Sequence, residues 1–226
     1  MYFSFPRWTN RFAYALVASL VLSGLYLCAV VYAATSPETL SIGHAPKQPI
    51  PFSHRVHAGQ LKMDCRYCHN TVDKAAHAAI PASATCANCH SGTNSNGTVQ
   101  YSAVRSDSPL LATLRQSIAT QESIPWKRVH DLPDYVYFDH SAHVNRGVGC
   151  VSCHGRVDKM DIVAQEKTLS MTFCLECHRK PEEHLRPLDK ITDLAWVPET
   201  SAEEVGRQIK ADLGIKPRTN CSTCHR

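Results

Sequence analysis

The chain has 226 residues, 11 cysteines, 13 histidines and a formal charge of +4, with 43% of its residues hydrophobic. About 25 of the apolar side chains fall in the first 34 residues; cysteines aside, the remainder is only roughly one-third apolar. This composition excludes collagen-like, coiled-coil and low-complexity chains, and it is thin for an unaided core, so something other than side chains has to fill the centre.

Phe12 to Ala34 is an uncharged stretch of 23 residues, long enough to cross a bilayer as a helix. Arg7 and Arg11 precede it and the first charge beyond it is Glu38. The positive-inside bias therefore keeps residues 1–11 in the cytoplasm and sends residues 35 onward across the membrane. Tyr2, Phe3, Phe5 and Trp8 on one side, and Tyr32 on the other, suit the two interfacial belts. The competing reading is a signal peptide cleaved after Val31-Tyr32-Ala33. Signal h-regions run about 7–15 residues, so length favours a retained anchor. Cys28, inside the span, reads as a small apolar residue.

A polar linker, 35–50, leads into the region that carries the chemistry. The other ten cysteines form five Cys-x-x-Cys pairs, each followed at once by His. They are Cys65 and Cys68 with His69, Cys86 and Cys89 with His90, Cys150 and Cys153 with His154, Cys174 and Cys177 with His178, and Cys221 and Cys224 with His225. Five chance histidines at these positions have a likelihood of about one in a million. Cys-x-x-Cys-His is the attachment pattern of c-type haem. On one helical turn residues i, i+3 and i+4 share a face, so two thiols bond the ring edge while the histidine reaches the iron. Zinc ribbons use two such pairs per tetrahedral site, which leaves one pair over and gives the histidines no role. A disulfide framework needs neither the fixed gap nor the histidine. The expectation is five covalently bound haem c groups.

The region repeats itself. Phe52-Ser-His54-Arg-Val-His57 leads into Cys65, and Phe138-Asp-His140-Ser-Ala-His143 leads into Cys150. Val72-Asp73-Lys74 then matches Val157-Asp158-Lys159, and a second haem motif follows in each copy. Residues 52–90 and 138–178 are thus two copies of a dihaem unit, with the fifth motif at 221–225 closing a domain over 51–226. Between the copies, Ser91 to Thr98 reads as a surface loop. Ser108-Pro109 begins a helix with the apolar stripe Leu110, Leu111, Leu114 and Ile118. Ser201 and Glu204 make a capping box for a helix ending near Gly214. The fold expected is mainly α and irregular, short helices and loops around five haems, plus one N-terminal transmembrane helix.

Each iron needs a second axial ligand. In both Phe-x-His-x-x-His segments the histidines share a helix face, so they cannot bind opposite sides of one iron. His54, His57, His140 and His143 are therefore expected to serve four different haems, which brings haems together. For the fifth iron the candidates are His77, whose aligned position in the other copy holds Ile162, then His130 and His184, with Met160 and Met171 behind them. His44 reads as a solvated linker residue. Irons filled on both sides bind no substrate, which leaves electron transfer. With two propionates per haem, the net charge becomes about −1, and nucleic-acid binding has no basis.

The order of anchor helix, paired histidines, two haem motifs, helical spacer, and a second such set closed by a fifth motif resembles the pentahaem cytochrome subunit of alternative complex III. Pro125 to Val144, Leu169 to Arg179, and Cys221 to Arg226 carry most of the likeness. The dihaem units also resemble the class III cytochrome c3 family. The resemblance implies an electron-carrier subunit, not itself an enzyme, of an inner-membrane quinol-oxidising complex with its haem domain in the periplasm. Its implied partners are a polysulfide-reductase-type integral membrane subunit, an iron–sulfur (molybdopterin-like) subunit, a monohaem cytochrome c and a cytochrome oxidase. Two rivals are a single-anchor multihaem quinol dehydrogenase, whose haem motifs start sooner after the helix, and a multihaem reductase, which needs one open iron.

Overall fold

The computed structural model describes residues 5–35, 41–91 and 103–225. The chain divides into two compact units after Ile42.

The first unit is one helix, α1, Trp8–Thr35, 28 residues long. Its segment Arg11–Thr35 has a mean hydropathy of 2.2, long and apolar enough to cross a membrane. The hydroxyls inside it are satisfied locally, Ser19 donating to the Leu16 carbonyl at 2.8 Å and Ser23 to Leu20 at 2.9 Å. That removes the cost of bringing free hydroxyls into hydrocarbon.

The second unit is built from short helices and turns. They are a π-helix at Arg55–Gln60, then α2 (Cys65–Cys68), α3 (Ser83–His90), α4 (Ala112–Thr120), α5 (His140–Val144), α6 (Val151–His154), α7 (Met171–Arg179), α8 (Ala202–Asp212) and α9 (Cys221–Cys224). Among the described residues there is no strand, only an isolated bridge between Val148 and Leu185. Among the described residues the polypeptide alone buries just six large hydrophobics, Ile50, Leu114, Ile124, Leu185, Ile191 and Leu194. This is the thin core that the composition implies.

Both expected caps form. Ser108 accepts from the Leu110 amide before a 3-10 turn, Pro109–Leu111, that feeds α4. Leu114 then packs with Ile50 and Ile124, flanked by Leu111, Ile118 and Trp126. Ser201 accepts from the Glu204 amide at 3.1 Å, but the Glu204 carboxylate turns to Arg207, so only half of the capping box is built. Residues 92–98 of the expected surface loop lie outside the described residues.

The two dihaem copies are tied together crosswise. The first paired-histidine segment docks on the turn after the third haem motif, with the Arg55 amide on the Met160 carbonyl at 3.0 Å and the Ser53 hydroxyl and Arg55 guanidinium on Asp161. The second docks on the turn after the first motif, with the His140 amide on Ala76 and the Ser141 amide on Ala75. A Cβ at Gly59 would collide with the Asp158 carbonyl. The equivalent residue in the other copy, Asn145, instead donates its amide to the Asp73 carbonyl at 2.9 Å. Each copy therefore completes the other.

Candidate haem-binding sites

All five Cys-x-x-Cys-His motifs sit on helical turns. The backbone closes in the same way at three of them, with the His69, His154 and His225 amides bonded to the carbonyls of Cys65, Cys150 and Cys221 at 2.9, 3.0 and 2.9 Å. Asp64 caps the first turn by accepting from the Arg66 amide, and Ser170 caps α7 through the Phe173 amide. The histidine thus stands one turn beyond the first cysteine, on its face.

The imidazoles are oriented by backbone carbonyls. Nδ1 of His69 meets Ala79 O at 2.8 Å, His90 meets Val104 O at 2.6 Å, His178 meets Arg218 O at 2.7 Å, and His225 meets Tyr135 O at 3.1 Å. The same holds for His57 on Ser53 O at 2.8 Å, His143 on Asp139 O at 2.7 Å, and His140 on Ala76 O at 2.8 Å. A carbonyl only accepts, so each Nδ1 carries the proton and each Nε2 keeps its lone pair for a metal.

Ring spacing tests the fit. A metal–nitrogen bond of about 2 Å on each side puts two opposed imidazole centroids about 6 Å apart. His57 and His90 stand 6.3 Å apart, His140 and His154 6.3 Å, and His143 and His178 6.0 Å. Phe52 stacks on His57 at 4.3 Å and meets His54 edge-on at 4.8 Å; Phe138 does the same to His143 at 4.5 Å and His140 at 4.8 Å. The phenylalanine in each segment is the wedge that keeps the paired rings apart. Beside His90 a hollow of about 250 Å³ is walled by the apolar Leu111, Leu114 and Ile118 and by the polar Ser106, Asp107 and Arg115. These residues fit a flat apolar group ligated through histidine.

The electrostatics agree with neutral ligands. Burial pulls His54 down to about 4, helped by the nearby His69 and His57. Burial pulls His154 to about 3, with His130, His140, His69 and His54 around it. His143, His130 and His184 are lowered too, by burial first. An imidazole held neutral is ready to ligate. Among the described residues no cysteine is disulfide-bonded, and no group of three or more His, Cys, Asp or Glu could hold a metal ion on its own. Neither the zinc nor the disulfide arrangement is built.

Of the candidates for a last ligand, His130 lies edge-on to His154 at 4.5 Å, too close to share an iron with it, and its buried Nε2 has no partner. His77 is exposed, with its carbonyl taken by Thr71. His184 and Met160 are half-buried, and Met171 is exposed. His44 is half-buried, its carbonyl accepting from the Gln165 amide. Among the described residues, His225 makes a ring contact with Tyr135 at 5.8 Å and none with His44, His77, His130 or His184. The carbonyls of Ala76, Ala79, Val104 and Arg218 escape sequence reasoning, because any residue type supplies one.

The sequence pattern of cytochrome c7 and related cytochrome c matches residues 50–107 and 136–226. The multihaem cytochrome c subunit of a menaquinone reductase from Nitratidesulfovibrio vulgaris is 27% identical over 161 residues, covering 62% of this chain and 70% of that protein. Between its two matched parts the family pattern leaves out 108–135, the spacer that holds α4 and His130, and it also leaves out residues 1–49.

Proposed function

This chain belongs to the family of cytochrome c7 and related cytochrome c, and from that premise we propose that it is the five-haem relay and an anchor of a quinol-oxidising membrane complex of the alternative complex III type. Haem c supplies one-electron chemistry while held by two thioether bonds. Here the ten motif cysteines would hold it, His69, His90, His154, His178 and His225 would each ligate one iron, and His54, His57, His140 and His143 would supply the second ligand at the first four. The observation that carries this reading is the pairing of opposed rings near 6 Å at the His90, His154 and His178 sites, with Nδ1 of His57, His90, His140, His143 and His178 each on a carbonyl.

The residues also order the sites. His54 and His57 on one helix join the His69 site to the His90 site. His54, His69, His140 and His154 share one buried cluster. His140 and His143 join the His154 site to the His178 site. The Arg218 carbonyl that orients His178 lies just before the fifth motif, and Tyr137 ties Cys224 to the second paired-histidine segment. The line runs 2–1–3–4–5, with the second and fifth motifs at its ends. Quinol chemistry belongs to an integral membrane partner of the polysulfide-reductase type, with an iron–sulfur subunit and a monohaem cytochrome as neighbours. The helix over 12–34 crosses the inner membrane and leaves the haem domain in the periplasm.

Purification from native membranes in mild detergent, followed by haem stain and mass spectrometry, tests this. An integral polysulfide-reductase-type subunit and an iron–sulfur subunit in fixed ratio are expected; a chain that arrives alone and is still reduced by quinol contradicts it. The relative named a menaquinone reductase favours a second reading in which electrons run into the quinone pool. Under it, the reduced complex is reoxidised by a quinone analogue and is not reduced by the quinol.

A further inference from the structure

In the alignment of the two copies, the residue before the first haem motif is Asp64 and the residue before the third is Gly149. The two positions carry opposite electrostatics. Asp64 is a carboxylate closed into a pair with Arg66 at 2.9 Å and bonded by Thr192 at 2.8 Å. Across Gly149 lies the guanidinium of Arg186, so close that any Cβ would collide with it. Glycine here is what lets a cation lie flat against the start of the third motif.

Arg186 is only 9% exposed. Its amide bonds the Gly147 carbonyl at 2.8 Å, its Nη1 donates to the Asp193 carbonyl at 2.8 Å, and its Cζ stands 5.2 Å from the centre of the Trp196 ring. Among the described residues it has no ion pair with a carboxylate. The carboxylate that acts on it is that of Asp193, which accepts from the Ala195 amide instead. A buried cation without an ion partner is expensive to retain unless something negative, or something that becomes less positive, shares its site.

We propose that Arg186 is the residue that raises the reduction potential of the third haem site, that of Cys150, Cys153 and His154, above that of its pseudo-symmetric partner at Cys65, Cys68 and His69. The inference rests on haem c being attached at Cys150 and Cys153. A ferric iron with two neutral imidazoles and two pyrrole anions carries one net positive charge, which one electron cancels with no bond made or broken. A fixed cation in low dielectric disfavours the positive form and so favours the electron. Asp64, already paired, leaves the first site without an equivalent bias. The two central sites of the line thus form a step, with the third as the electron-rich side.

The test is potentiometric titration of the full chain purified from membranes, as wild type, R186Q, R186K and W196E. Peptide mass spectrometry first establishes whether the 147–160 segment carries haem. If it does not, the haem assignment itself fails, and the inference with it. With haem present, R186Q is expected to lower one midpoint by about tenfold in the ferrous-to-ferric ratio, equivalent to 59 mV for a one-electron couple, while the other components stay in place. R186K is expected to keep the wild-type midpoint. W196E leaves Arg186 in position and sets a carboxylate against it, so it lowers the same midpoint even if R186Q does not assemble. Unmoved midpoints in haem-loaded R186Q or W196E, or an R186K that falls as far as R186Q, overturn the proposal.

Discussion

In the first copy the paired histidines sit on a π-helix, with eight positions from His57 to Cys65; in the second they sit on an α-helix, with seven from His143 to Cys150. The π-helix is the one-residue insertion made visible, closed by the Leu61 amide on the Val56 carbonyl at 2.9 Å. Gly59 lets that wider turn press on the Asp158 carbonyl, where the second copy reaches Asp73 with the longer Asn145. The rings nonetheless end alike, with the same phenylalanine wedge and the same i−4 carbonyl on the second histidine. Two backbones of different lengths converging on one ring geometry indicate that ligand placement, not helix type, is what both copies preserve.

The largest break in this symmetry is expected from the rings themselves. His140→Ala and His54→Ala should each turn one low-spin site high-spin, read by electron paramagnetic resonance of the oxidised protein, and His57→Ala and His143→Ala should do the same at the outer sites. His130→Ala should leave the low-spin count unchanged, because its ring is too near His154 to share an iron with it.

Next in size is the helix contact. Gly59→Ala forces a methyl into the Asp158 carbonyl and should cost about 1–3 kcal/mol in thermal or denaturant unfolding. Asn145→Gly should cost about 1 kcal/mol, the worth of one amide hydrogen bond. An unchanged stability at either position would contradict the contact assigned to it.

The smallest effect is a pH dependence at a position where the two copies differ. The side-chain bond from Arg66 holds Asp64 at about 2, below the usual value of 3.8. The unfolded chain therefore binds the proton more readily, so the stabilisation is fully present above pH 4 and is lost as pH falls from about 4 to about 2. Asp64 and Arg66 are 42% and 46% exposed, so solvent screening limits the effect to less than about 1 kcal/mol. Asp64→Asn should reduce the loss of stability over that window, leaving the share of other lowered carboxylates such as Asp139 and Asp158, whereas changes at Gly149 should not, since no carboxylate stands there. Unfolding curves at pH 6 and pH 3 make the comparison.

Much of this was legible in the chain. The five motifs, the paired histidines and the duplication are written in residue identity, and Ser108 and Ser201 announce their helices because a hydroxyl before an apolar run has one common use. The spacing of eight against seven also carried the π-helix, had it been read as an insertion. The crosswise docking was not legible, since it joins the Arg55 amide to the Met160 carbonyl through backbone atoms that every residue owns. Arg186 was hidden for a related reason. An arginine between Leu185 and Pro187 reads as surface charge until Gly149 is seen to open a place for it.

The most direct measurement is the mass of the chain purified from native membranes, intact and then as peptides. The account predicts five haem additions, one on each peptide bearing Cys65 and Cys68, Cys86 and Cys89, Cys150 and Cys153, Cys174 and Cys177, and Cys221 and Cys224. Any one of those pairs recovered as free thiols or as a disulfide in the mature protein would contradict it.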